Sequence, residues 1–489
     1  MPLKNILSNI LSIEEVKRQS IANFFSQIVL TFVGFLSTMY FAHKLGSSVL
    51  GSYFLFTSYF GIINLFSDGG FGGAAIKRIS EGEEQDAYFT AFIVTRTFFA
   101  VLIIAIILAF ESYFQIEGQI INWLILAIIM SLFYSITSGG IAGQSKMGIA
   151  AVGTTTQNLS RIFIQVIAVL FGYGIGGLVG GFIAGFVIAT LIQFKFLDLK
   201  CVSFEWRHVV NLMSFSFWLF LTSAGIILYS NVDVVMIGYF LEEADVGVYK
   251  VVFQFTTIAI LMVSAIRTTL WPKVSRWGKI DDTESIEKSL SRGLTFSLLF
   301  AVPIIAGGIL LGERMLYFFY GAGFAWGYTT LILLFFAQLT NVFQSLFVMF
   351  LGALDHQREA FYATAVSCIA NVALNVILIP LMGIEGAAIA TIVTMALNSI
   401  LAMHILSNII NVRIDTGSTL NILKATAAML LFVGFYSYVV TITNVWLTLI
   451  PVAIGAMVYG LLILRLDPGI YRDLKDISNR LNLPWPSML

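Results

Sequence analysis

The chain has 489 residues, of which 58% are hydrophobic and 11% charged, where a soluble domain carries about a quarter charged residues. Lysine plus arginine balances aspartate plus glutamate at 27 each, so the placement of charge informs more than its sum. Apolar runs of the roughly 20 residues a bilayer crossing needs recur from Ile21 to Leu464 with short polar breaks. That pattern excludes a separate soluble domain and predicts an all-α polytopic membrane protein.

In chain order, the segment from Met1 to Ser20 is polar and reads as an amphipathic lead-in rather than a cleavable signal peptide. Within it, Ser12 and Glu15 spell a capping box. Fourteen spans follow, at 21–42, 51–76, 88–110, 120–139, 151–171, 175–194, 212–239, 247–270, 293–311, 328–353, 361–381, 385–406, 421–441 and 445–464. Span 2 ends in LFSDGGFGGAAIKRIS, where Gly70 to Ala75 fits the G-x-G-x-x-A spelling of a dinucleotide turn. Such a turn needs a strand before it within a βαβ unit. The run before this one is a membrane span, so the glycines instead loosen a helix, which is tolerated where protein or a cavity re-satisfies the backbone. If that helix continues at 1.5 Å per residue, Asp68 lies about 13 Å inside the boundary marked by Lys77.

Arginine falls within three spans: Arg96 in span 3, Arg161 in span 5 and Arg267 in span 8. Each costs roughly 2.5–3.5 kcal/mol at the bilayer centre, so each is expected to face the bundle interior or water. One reading is a cationic cavity for a phosphate or diphosphate, which the guanidinium fork suits. The other is an internal ion pair or a snorkelling side chain. Asp68 and Asp233 are the matching acids, able to pair with an arginine or take up a proton. Asp233 stands beside Asn231 near the outer end of span 7, where simple pairing is the expected role. The glycines from Gly172 to Gly185 give small-xxx-small spacings that read as close helix packing. Tryptophans near span ends read as interfacial belts. The scattered histidines, Cys201 and Cys368 give no metal-binding spacing, and no metal site is expected.

Charge asymmetry sets orientation. With the N-terminus cytoplasmic, the cytoplasmic segments collect nearly all the lysine and arginine outside the spans, and the other side receives only Lys44, Lys250 and Arg314. Both termini are therefore expected inside. The chain also echoes itself. LGSSVLGSY at Leu45 lines up on LEEADVGVY at Leu241, and the same register sets Lys77 on Lys273. Gly174–Gly177 pairs with Gly383–Gly386, and Gly140–Lys146 matches Gly352–Arg358 in length. The echoes imply two six-span lobes, 1–200 and 201–410, related by a parallel pseudo-two-fold, then an extra helix pair with a cytoplasmic tail over 411–489. Parallel repeats are a transporter architecture with the substrate between the halves.

These residues carry a resemblance. Leu45-Gly46 with Gly51-Ser52-Tyr53, the turn from Asp68 to Gly72, Asn231-Val232-Asp233 with Ile237-Gly238, Gly247-Val248-Tyr249, Trp271-Pro272-Lys273, Asn371 to Pro380 and Gly383 to Ala388 resemble the Wzx-type polysaccharide-biosynthesis flippases. Those belong to the multidrug/oligosaccharidyl-lipid/polysaccharide exporter superfamily. The resemblance implies a non-enzymatic, monomeric flippase in the cell membrane. It would carry a lipid-linked oligosaccharide on a polyprenyl phosphate or diphosphate from the cytoplasmic to the outer leaflet by alternating access. It implies membrane lipids and the glycosyltransferases or polymerase of the same route as partners, and no nucleic acid. No cofactor is expected, and coupling to H+ or Na+ is left open. The expected substrate-binding residues are Arg96, Arg161, Arg267, Asp68 and Asp233. Gly69, Gly70, Gly72 and Gly73 in one lobe and Pro272 in the other are the expected gate.

The same-fold alternative is an ion-coupled exporter of drugs or organic cations, against which span 1 offers no carboxylate. A glycan polymerase or ligase would display a long outer loop with catalytic charges, whereas the outer loops are short. A non-transporting scaffold would have no use for intramembrane arginines.

Overall fold

The computed structural model describes residues 15–109 and 118–480. The capping box at Ser12 lies outside the described residues. The chain divides into two compact units, Met1–Val235 and Met236–Leu489, and among the described residues it contains helices and no strand.

The first unit holds α1 (Glu15–Asp68), α2 (Phe71–Ser80), α3 (Gln85–Ala109), α4 (Gly118–Gly143), α5 (Met147–Leu170), α6 (Gly174–Phe194) and most of α7 (Trp206–Phe240). The second holds α8 (Glu243–Thr256), a 3-10 turn, α9 (Leu261–Lys279), α10 (Thr283–Tyr320), the one-turn α11 (Ala322–Ala325), α12 (Tyr328–Ala353) and α13 (Gln357–Met382). It ends with α14 (Ile384–Ser407), α15 (Thr416–Val439), α16 (Val445–Leu466) and α17 (Pro468–Arg480). Side chains that can satisfy orphan backbone donors start several of them. Asp282 accepts from Ser285 N, Asp415 from Ser418 N and Asn444 from Leu447 N.

Eleven helices among the described residues are long and apolar enough to cross a membrane, twelve if α7, bent by 47° between Gly225 and Ile227, is one span. The stretch Val29–Asp68 counts as one although it is 40 residues long, about 60 Å of helix against a hydrocarbon core of about 30 Å. The non-helical Gly46 (φ 79°, ψ −178°) divides it. The expected fourteen exceed this count at α7, at the Gly46 division and at α5. The last is helical, but Gln157, Asn158, Ser160 and Arg161 dilute its apolar character.

Within the first unit, α2 buries Phe71, Ala74, Ala75 and Ile79 against Tyr88, Phe89 and Phe92 of α3 and Val209 and Leu212 of α7. The second unit's core lies where α10 meets α12, with Leu290, Leu294, Leu331, Leu334 and Leu346 fully enclosed. The expected glycine packing is present where α5 meets α6. A Cβ on Gly177 would lie 2.7 Å from Ala168 Cβ, one on Gly181 2.9 Å from Gln165 N, and one on Gly185 2.7 Å from Gln157 O. A four-residue spacing puts those three on one face of α6. Gly176 and Gly180 face open space.

Loops that alternate-side topology assigns to one side lie together. In the first unit Lys146 pairs with Asp198, the amide of Lys200 donates to Asp86 at 2.9 Å, and that of Val202 donates to Thr90 at 3.0 Å. At the same end Glu84 accepts from Arg207 at 2.6 Å and lies 3.1 Å from Nε2 of the buried His208. The His208 hydrogen bond, then the Arg207 charge, hold the Glu84 carboxyl below the usual glutamate range. A lowered folded value means this clasp stabilises fully above the ordinary pKa of about 4.3 and is lost as pH falls through the lowered one. Glu84→Gln is therefore expected to flatten the acid-side fall in melting temperature between pH 5 and pH 3. Thermal unfolding of the purified protein across pH checks this.

Candidate functional site

The glycine stretch is a break rather than a loosened helix. α1 ends at Asp68, Gly69 and Gly70 take left-handed φ of 56° and 78°, and α2 begins at Phe71. The expectation of one helix over 51–76 fails there, because two successive left-handed residues cannot continue a right-handed helix. The break lets α7 come close: a Cβ on Gly70 would lie 2.3 Å from Ser216 O and 2.8 Å from Phe220 N. A Cβ on Gly73 would lie 2.7 Å from the Leu219 side chain, and one on Gly72 3.2 Å from Asp68 Oδ1.

Asp68 stands at the lip of this break and meets Arg96 of α3. Arg96 Nε lies 3.3 Å from Asp68 Oδ1, with side-chain exposures of 1% and 30% respectively. That nitrogen has no aligned hydrogen bond, so the contact is Coulombic. The other guanidinium nitrogens are bonded: Nη1 donates to Ser67 Oγ at 2.7 Å and Nη2 to Asn64 Oδ1 at 3.1 Å. Ser131 of α4 donates to the same Asn64 oxygen at 3.2 Å. Three helices thus converge on one buried cation, and its free face is the half-exposed carboxylate. In this conformation Arg96 presents no donor to an outside ligand, while Asp68 presents an acceptor.

The other candidates lie on α5, α7 and α9. Arg161 is half-buried on α5 against the Gly181–Gly185 face of α6, and its Nε finds no hydrogen-bond partner. Asp233 on α7 is buried and partnered. Two residues away, the Asn231 amide donates to Ile227 O at 2.8 Å. Arg267, in the second unit on α9, is exposed and makes no ion pair or side-chain hydrogen bond among the described residues. Ser264, Thr268 and Thr269 around it are exposed too, their threonine hydroxyls bonded back to Ser264 O and Ala265 O. Pro272 lies inside α9 one turn further on and is also exposed.

Sequence reading missed Asn64, Ser67 and Ser131. A signal for the first two was present: Asn64, Ser67 and Asp68 at i, i+3 and i+4 share one face of a span, which is a polar stripe aimed at something. Ser131 carries no comparable signal, since one serine in an apolar helix is ordinary.

Known proteins extend the picture. Over 95% of its length the chain is 28% identical to the "Probable low-salt glycan biosynthesis flippase Agl15" of Haloferax volcanii, covering 98% of that protein. The fold is similar to that of the lipid II flippase MurJ in an inward closed conformation, with a TM-score of 0.76 at 21% identity over 93% of this chain and 99% of that one. An inward-facing multidrug resistance MATE transporter of the MOP superfamily matches at a TM-score of 0.65 and 13% identity, over 77% of this chain and 95% of that one. The sequence pattern of the family described as "Polysaccharide biosynthesis protein" matches residues 45–326. That is more than half the chain, and this multi-pass membrane protein therefore belongs to the polysaccharide biosynthesis family.

Proposed function

We propose that the chain is a flippase that moves a lipid-linked oligosaccharide, carried on a polyprenyl phosphate or diphosphate, from the cytoplasmic to the outer leaflet by alternating access. The observation that carries this reading at the site is Arg267, exposed and without an ion pair among the described residues, within the membrane-span candidate Glu243–Lys279. A guanidinium in that position cannot face lipid, so it faces water, and its fork suits anionic oxygens of a phosphate. Full-length similarity to a protein named as a glycan biosynthesis flippase supports the same substrate class. The alternative, export of organic cations, is disfavoured because an exposed arginine repels a cationic substrate.

The reading includes fourteen spans in lobes over 1–200 and 201–410 with the pair and tail over 411–489, and both termini cytoplasmic. The lysine and arginine distribution supports the orientation. Arg161, Asp233, Asp68 and Arg96 are the further substrate-contacting residues of this reading, with Gly69, Gly70, Gly72, Gly73 and Pro272 as gate elements. The head group crosses in the polar path while the prenyl chain stays in lipid. The protein acts as a monomer without a resident cofactor or metal, beside the glycosyltransferases or polymerase of its route.

Arg267→Ala is expected to slow flipping of a lipid-linked glycan in proteoliposomes by about tenfold or more, the worth of one charge-assisted hydrogen bond. Arg267→Lys should retain part of the rate. Unchanged flipping by a folded Arg267→Ala protein would remove this arginine from the path.

A further inference from the structure

A second site lies in the second unit, on a different face of α9 from Arg267. Here α9 and α10 run antiparallel and line an open-sided cavity of about 720 Å³, which Leu474 of α17 also borders. At 100° per residue, the α9 lining positions Ile266, Leu270, Lys273 and Trp277 share one stripe, and Arg267 leaves the helix roughly a third of a turn away.

The lining changes character along its length. One end carries Lys273, Lys288 and Arg292, with Trp277, Ser285 and Ser289 beside them. The other end is apolar: Met262, Ile266 and Leu270 from α9, Phe296 and Phe300 from α10. From Lys273 to Met262 is about 16 Å along the helix, the depth of one leaflet of a hydrocarbon core about 30 Å thick.

Nearby acids only partly neutralise the cationic end. Glu284 pairs with Lys288, and Asp473 of α17 lies 3.7 Å from Arg292, beyond hydrogen-bonding distance. Glu287 is engaged with Asn411, accepting from its backbone and side-chain amides at 2.8 and 3.0 Å. Lys273 is exposed and makes no ion pair among the described residues.

A basic mouth over an apolar slot of leaflet depth matches the polarity of a phosphate-headed lipid. A soluble anion would use only the mouth, and an apolar molecule only the slot. We propose that this cavity binds an anionic membrane lipid, its phosphate held by Lys273, Lys288 and Arg292 and a chain lying along Ile266, Leu270, Phe296 and Phe300. Occupancy ties α17 to α9 and α10 through Arg292 and Leu474, so the lipid is a structural ligand of the second unit. The inference needs only the membrane placement of these helices and not the transport direction or substrate.

The test is native mass spectrometry of the full chain purified in neutral detergent and titrated separately with phosphatidylglycerol, phosphatidylcholine, a polyprenyl phosphate and inorganic phosphate. Phosphatidylglycerol should be retained about tenfold or more over phosphatidylcholine, at about 1 kcal/mol for each basic residue near a headgroup. Millimolar inorganic phosphate should not displace it. Lys273→Gln with Lys288→Gln and Arg292→Gln should abolish the preference. Arg276→Gln with Lys279→Gln, which removes charge beside the cavity but not from its lining, should leave it. If the triple variant does not fold, the exposed Lys273→Gln alone should weaken retention about threefold or more. Retention of polyprenyl phosphate above phosphatidylglycerol would support the site and name the glycan carrier as its source. Equal retention of charged and zwitterionic lipids, or a preference that survives the triple variant, would overturn the proposal. Binding is read without transport, so a failed flipping assay leaves this result intact.

Discussion

Gly70→Ala is expected to be the most damaging single-methyl addition in the first unit. The residue holds a φ of 78°, a conformation that costs a non-glycine residue roughly 1–2 kcal/mol. The new methyl would also stand 2.3 Å from the Ser216 carbonyl oxygen and 2.8 Å from the Phe220 nitrogen, both backbone atoms that cannot rotate away. Relief requires α7 to move off the break, an overpacking cost of about 1–3 kcal/mol. The sum, about 2–5 kcal/mol, should appear as a lower melting temperature and poor recovery from detergent. Gly72→Ala is the informative control, since its methyl meets only the tip of the Asp68 carboxylate at 3.2 Å. A shift of a few tenths of an ångström accommodates it, and stability should change by less than about 1 kcal/mol. Wild-type stability and transport in Gly70→Ala would mean that the seat of α7 on the break is not needed.

The second large effect concerns the buried cation. Asp68→Asn leaves Arg96 enclosed with only the neutral Ser67 and Asn64 oxygens as partners, and removing one partner of a buried pair costs about 3–5 kcal/mol. Arg96→Met should cost less, because the stranded carboxylate is 30% exposed and water can solvate it. The double variant is expected to be more stable than the sum of the single losses by about 1–3 kcal/mol. Chemical unfolding of the four proteins of the cycle measures this. Strict additivity would mean that the 3.3 Å contact is incidental and that Arg96 is held by Ser67 and Asn64 alone.

Much of the fold was legible because bilayer crossing imposes a composition that few other constraints imitate. Runs of 20 apolar residues fix where helices are, and the lysines and arginines mark their ends. What was lost depended on backbone conformation and on side chains meeting across helices. Gly69–Gly70 reads in the sequence as a loosened helix, and the left-handed corner that seats against Ser216 is visible only in the backbone. Arg96 reads equally well as a ligand-binding cation or an internal partner, and burial favours the second for this conformation, whereas Arg267 keeps the open exposure that the first requires. The C-terminal α17 falls in the stretch that reads as tail, although Asp467-Pro468 spells an N-cap followed by proline at the first helical position. The Asp467 carboxylate does accept from Gly469 N and Ile470 N at 3.0 and 2.9 Å. Without that helix, the cavity between α9 and α10 would lack its third wall.

The glycine face of α6 bears on the order in which the chain assembles. α5 and α6 are joined by only three residues, 171–173, and the contacts between them are close in sequence. They need neither loop closure over long distances nor the arrival of any later helix. Gln165 then donates to the Leu178 carbonyl at 2.7 Å across the same seam, and its second bond, to Tyr53 at 2.9 Å, reaches back to a helix already synthesised. The pair can therefore dock as a hairpin while the ribosome is still making the second unit, so that the first unit has a finished wall before the second unit exists.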